Sequence, residues 1–90
     1  MTSLQSIPRT NPDLTVRDVG EEVILISSKG DTLHTLDAVG AFLWRSIDGK
    51  RSIKDIVGIL LETYDVVVAT AEGDVLRFFD ELQRKGIVSI

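Results

Sequence analysis

Ninety residues without a cysteine, carrying 10 basic and 14 acidic side chains for a net charge of −4, predict one small domain. The missing thiols exclude disulfides, thiolate metal sites, thiol nucleophiles and Fe–S clusters. The charge is spread along the chain without a basic tail, which disfavours phosphate neutralisation and hence nucleic acid.

Residues 1–13 are polar, with Pro8 and Pro12 bracketing an irregular stretch. They are expected as a flexible N-terminal arm, leaving 14–90 as the folded domain. No apolar run approaches a membrane span, and no basic stretch precedes an apolar one as in a signal peptide, so a cytoplasmic protein with no membrane partner is expected.

Leu14-Thr15-Val16-Arg17 alternates apolar and polar and predicts a strand. Gly20-Glu21 predicts a turn. Glu22-Val23-Ile24-Leu25-Ile26-Ser27 is β-branched and apolar on both faces, as a central strand would be. Ser28-Lys29-Gly30-Asp31 is a second turn, with Gly30 free to take positive φ. Thr32-Leu33-His34-Thr35-Leu36 is the third strand of an antiparallel meander.

Asp37 then predicts the N-cap of a first helix, with Ala38, Val39, Phe42, Leu43, Trp44 and Ile47 at helical spacing and Gly49 at its end. Ser52 caps a second helix, with Asp55 at the positive helix end. Its apolar stripe is Ile53, Ile56, Val57, Leu60, Leu61 and Tyr64. Asp65-Val66-Val67-Val68 reads as an extended link. Thr70 is the expected cap of the third helix, whose stripe is Ala71, Val75, Phe78, Phe79 and Leu82. Gly86 stops it, and Ile87-Val88 pack back. The fold class is α+β: a three-stranded antiparallel sheet followed by three helices, in a winged-helix-like body.

No residue set here does chemistry. His34 is the only histidine, so no metal site or cofactor is expected around it. No phosphate loop is present. The carboxylates lack a catalytic partner and read as a solvated face, so an enzyme is not expected. Phe42 and Trp44 read as core before interface. The third helix sets Glu72, Asp74, Asp80 and Glu81 against Arg77, Arg84 and Lys85, a poor surface for phosphates.

A meander leaves two strand edges open. The third strand, Thr32 to Leu36, is short, and no proline or lysine blocks it. Such an edge suits β-augmentation, in which a peptide adds a strand and neighbouring side chains read it. Val75, Phe79 and Leu82 of the third helix face inward. Asp74, Arg77, Phe78, Glu81 and Lys85 form the adjacent line, a charged flank around one phenylalanine. The candidate peptide-binding residues are therefore Thr32, Leu33, His34, Thr35, Leu36, Asp74, Arg77, Phe78, Glu81 and Lys85. A winged-helix regulator of nucleic acid and an assembly subunit pairing through its free edge are the alternatives. A monomer or weak homodimer is expected.

The ordered set Leu36-Asp37-x-x-Gly40-Ala41-x-x-Trp44, Asp48-Gly49-x-x-Ser52, Tyr64, and Asp74-Val75-x-x-Phe78-Phe79-x-x-Leu82-x-x-x-Gly86-Ile87-Val88 resembles the PqqD-like family, over about residues 14–88. That family is named for coenzyme PQQ synthesis protein D and is the fold of precursor-peptide recognition elements. The resemblance implies that the leader of a ribosomally made precursor peptide binds between the third strand and third helix. It also implies delivery to a separate modifying enzyme, often a radical SAM protein. Asp37 stands where the family commonly has asparagine; both cap a helix. PqqD proteins of PQQ pathways often carry Pro-Glu at the second hairpin turn. Ser28-Lys29-Gly30-Asp31 here favours a relative serving another peptide pathway.

Overall fold

The computed structural model describes residues 2–90. Strands β1 (Arg9–Thr10), β2 (Thr15–Val19), β3 (Glu22–Ile26) and β4 (Leu33–Leu36) precede helices α1 (Ala38–Arg45), α2 (Ile53–Thr63) and α3 (Val68–Arg84), and β5 (Val88–Ser89) closes the chain. The meander is a three-stranded antiparallel sheet in the order β2-β3-β4, so β4 is an edge. Val23 pairs with Leu36 and Leu25 with His34, placing all four on one face. Val23, Leu25 and Leu36 are buried there against the helices, as the period-2 side-chain alternation requires.

Ala41, Leu43 and Trp44 of α1 join Ile53, Ile56, Val57 and Leu60 of α2 in the core. From α3 come Ala71, Val75, Phe79 and Leu82, one stripe at helical spacing, and Ile87 and Val88 complete it. Trp44 is a core residue. Phe42 is half-buried and meets Tyr64 edge-on, with ring centroids 5.5 Å apart. Gly86, at φ +74°, lets the chain leave α3 in a Schellman turn. Its N–H donates to Gln83 O (3.0 Å), and the Ile87 N–H donates to Leu82 O (2.9 Å).

The helix starts differ from expectation in instructive ways. Asp37 caps α1 as its side chain predicts, accepting from the Gly40 N–H at 2.8 Å. Ser52 and Asp55 exchange hydrogen bonds in a reciprocal capping box. Thr70, however, does not cap α3. That helix begins three residues earlier than expected, with Val67 as an N-cap that makes no side-chain bond. Ala71 is buried and its N–H reaches Val67 O (2.9 Å), so packing extends the first turn into residues that local propensity reads as extended. Gly49 does not end α1 either. The buried Ser46 Oγ donates to Phe42 O at 2.9 Å, and the helix stops there. Gly49 lies in the following turn. There the Asp48 carboxylate accepts from the N–H groups of Arg51 (2.7 Å) and Lys50 (2.8 Å), which hold it below the usual carboxylate range.

The segment expected as a loose arm lies against the body. β1 pairs antiparallel with β5, and Pro8 is buried. Leu4 O and Ser6 O accept from Lys54 N–H and Ile53 N–H, both at 2.9 Å. The arm therefore satisfies two of the orphan donors at the start of α2. Sequence reading missed this because the signal, four polar atoms meeting across some fifty residues, is not local. The Thr2 hydroxyl lies 3.0 Å from Gln83 and 3.2 Å from Asp80. Those two residues are on the far side of α3 from Phe78, so the start of the arm lies away from the Phe78 face, while Asn11 near its end lines a small hollow with Thr32 and His34.

Candidate peptide-binding groove

β4 offers its backbone to solvent. The Ser27 N–H donates to Thr32 O at 3.0 Å, which fixes that pair as a hydrogen-bonded one. Antiparallel pairs alternate, so His34 and Leu36 bond to β3 while Leu33 and Thr35 turn their N–H and C=O groups to the open edge. Leu33 is 64% exposed.

Beside this edge lies a cavity of about 540 Å³ between the end of β4, the start of α1 and the first half of α3. His34, Thr35 and Leu36 line it from the strand, and Asp74, Val75 and Phe78 line it from α3. Phe78 is half-buried and packs edge-on against the buried Phe79, with centroids 5.2 Å apart. Its ring reaches the α1 wall at Gly40. A Cβ added to Gly40 would stand 3.3 Å from Phe78 Cε1 and 3.3 Å from Asp37 Oδ1. The glycine is favoured by this close approach and not by its backbone conformation, which is ordinary helix.

Of the ten residues predicted from sequence, five line the cavity: His34, Thr35, Leu36, Asp74 and Phe78. Thr32 and Lys85 lie beyond it, at a smaller hollow of about 120 Å³ that His34 also lines. Leu33, Arg77 and Glu81 line neither. Arg77 pairs with Asp74, and Glu81 pairs with Lys85 at 3.1 Å. Sequence reasoning missed Asp37, Val39, Gly40, Leu43, Leu60, Tyr64, Val66, Thr70, Ala71 and Val75 as lining residues. Two signals were available. Gly40 within the first turn of α1 marks a close approach. The Val66-Val67-Val68 run is largely exposed, with Val67 70% accessible, and continues the apolar wall outward.

Lys85 Nζ is 3.1 Å from His34 Nδ1, so the two hollows meet at a polar tie between α3 and β4. Burial and, secondarily, the Lys85 cation lower the His34 pKa below its usual 6.5, with Glu81 acting weakly in the opposite sense. Arg77 and Arg84 of α3 pair with Asp74 and Asp80 (the latter at 2.7 Å), and Lys85 at its C-cap pairs with Glu81. Among the described residues no group of three or more His, Cys, Asp or Glu is placed to hold a metal, and no helix is long and apolar enough to cross a membrane.

The α+β domain thus sets an unpaired strand edge beside a largely apolar cleft. The chain belongs to the PqqD family: the profile of coenzyme PQQ synthesis protein D matches residues 22–88. Two solved structures share the fold. One, described as TbiB1 in complex with the TbiA(beta) leader peptide, is 25% identical with a TM-score of 0.82, covering 90% of this chain and 94% of its own. The other, lasso peptide synthetase B1 complexed with the leader peptide, is 19% identical with a TM-score of 0.83, covering 94% of this chain and 100% of its own. No curated protein matches the sequence.

Proposed function

We propose that this protein is a non-catalytic recognition domain that binds the leader of a ribosomally made precursor peptide and presents it to a separate modifying enzyme. The observation that carries this reading is the open edge of β4 beside the apolar cavity, in a chain of the PqqD family whose structural relative TbiB1 is described with a leader peptide. In this reading the leader adds a fourth strand on Leu33 and Thr35. An apolar side chain of the leader enters the cavity against Phe78. Thr32, His34, Leu36 and the flank Asp74, Arg77, Glu81 and Lys85 border the bound strand.

Backbone pairing supplies affinity without sequence preference, and the cavity supplies selectivity. A flexible peptide loses conformational freedom on binding, so affinity of about micromolar, roughly −8 kcal/mol, is expected. The work is done in the cytoplasm, where precursor and enzyme meet. The enzyme is one that modifies the core peptide, of which a radical SAM protein is an example. Neither a cofactor nor nucleic acid is needed, and a monomer suffices.

The test is an amide NMR titration with leader peptides from precursor genes encoded beside this one. Shifts confined to β4, the start of α1 and α3 are the expected result. No shift with any such peptide at millimolar excess would leave the fold without this function.

A further inference from the structure

The wall of the cavity carries two carboxylates and no cation. Asp37 lines it from the β4–α1 junction and Asp74 from α3, and neither lysine nor arginine is among the lining residues. The protein engages both acids only in part. The α1 cap uses one oxygen of Asp37, accepting from the Gly40 N–H. Asp74 is paired with Arg77, but the Arg77 side chain is 76% exposed and lies outside the cavity. Such surface pairs are weak and exchange readily. His34, the histidine of the wall, brings no compensating charge at neutral pH, because burial and Lys85 lower its pKa. The rest of the wall is mostly apolar, with Val39, Leu43, Val66 and Phe78, and its other polar groups are the uncharged hydroxyls of Thr35, Tyr64 and Thr70.

A carboxylate rim around an apolar floor matches a side chain that is both. Lysine and arginine lay their alkyl stems along apolar surface and keep the cation at the edge. We propose that the cavity selects peptides in which the apolar anchor has a lysine or arginine within two residues of it, with the cation held between Asp37 and Asp74. This inference rests on the groove reading given above. An acidic residue at the same place meets two like charges and is disfavoured. The cation gives about a fivefold preference over a neutral residue, declining with added salt.

A phage-displayed library of random 15-residue peptides, selected on the full-length protein and on the Asp37→Asn/Asp74→Asn variant, tests this. Asparagine caps a helix as well as aspartate, so the variant keeps α1. Selected peptides are then synthesised and kept only if they shift the amides of Thr35, Leu36 and Phe78. On the wild-type protein, the expected groove binders carry a basic residue within two positions of an apolar one. On the variant the apolar residue stays enriched and the basic one does not. Groove binders without basic enrichment, or with equal enrichment on both proteins, overturn the charge selection and leave peptide binding standing. If no selected peptide shifts the groove amides, the groove reading falls, and this inference falls with it.

Discussion

Lys85 Nζ stands 3.1 Å from His34 Nδ1 and ties the end of α3 to the middle of β4. A lysine ammonium only donates, so Nδ1 is the acceptor and the neutral ring carries its proton on Nε2. Protonating Nδ1 would set two cationic donors face to face. Burial first, then Lys85, therefore lower the pKa of His34 from 6.5.

The sign of the resulting pH dependence is fixed. Between the lowered folded value and 6.5 the unfolded chain binds more protons than the folded one, so stability rises with pH there. The contribution of a neutral His34 is full above 6.5 and is lost as pH falls through that window. Urea denaturation between pH 7.5 and pH 5 is expected to show a larger loss for the wild-type protein than for His34→Gln. Equal losses would mean the tie does not govern the histidine.

The alternation of β4 distinguishes two neighbouring prolines. Thr35 points its N–H to the open edge, so Thr35→Pro removes a donor that β3 does not use. His34 bonds to Leu25, so His34→Pro breaks the sheet itself. Thr35→Pro is expected to keep a cooperative melt and weaken leader binding at least tenfold, about 1.4 kcal/mol. His34→Pro is expected to lower stability by about 3 kcal/mol. Unchanged peptide affinity in a folded Thr35→Pro protein would remove β-augmentation from this edge.

Phe78 forms part of the cavity wall but is only half-buried, and its ring packs edge-on against Phe79. Phe78→Ala is expected to cost about 2 kcal/mol of stability, less than truncating a fully buried phenylalanine. Peptide affinity, measured by fluorescence anisotropy at a temperature where the variant is folded, should fall about tenfold.

Gly40 is the counterpart of that ring. In Gly40→Ala the new Cβ stands 3.3 Å from Phe78 Cε1 and 3.4 Å from Leu36 Cβ, so the ring must give by a few tenths of an ångström. Helix propensity favours alanine by about 1 kcal/mol and crowding costs a similar amount. The expected outcome is a nearly unchanged melting temperature with peptide affinity reduced about fivefold, as the cavity wall shifts. A variant with wild-type affinity and a higher melting temperature would show that the Gly40–Phe78 approach does not shape the groove.

The N-terminal segment gives a test that separates the two views of it. Deleting residues 1–7 removes the acceptors of the Ile53 and Lys54 N–H groups. Two such bonds contribute about 2 kcal/mol, or about 10 °C in the melting temperature of a domain this size. A freely moving arm would leave the melting temperature where it was.

Most of the architecture was legible because its signals are local. Gly20-Glu21 and Ser28-Lys29-Gly30-Asp31 mark the two hairpin turns, Asp37 and Ser52 mark two helix starts, and the α3 stripe Ala71-Val75-Phe79-Leu82 repeats at helical spacing. Each feature is decided by residues within a few positions of one another. The start of α3 at Val67 was not legible, because no side chain announces it and packing of Ala71 sets it. The β1–β5 ribbon was equally silent, because Arg9 and Thr10 find their partners at the other end of the chain.

The groove divides in the same way. Sequence alone singled out the Thr32–Leu36 edge and the Phe78 flank, since period 2 along a strand and the turn spacing of a helix place them without knowledge of neighbours. Only the tertiary structure decided that Asp37, Gly40, Tyr64 and Val66 stand around the same cavity as Asp74 and Phe78. Those residues come from three stretches of chain, and their meeting depends on how α1, α2 and α3 pack around the sheet. Periodicity tells which side of each element faces inward, but not which elements share an opening.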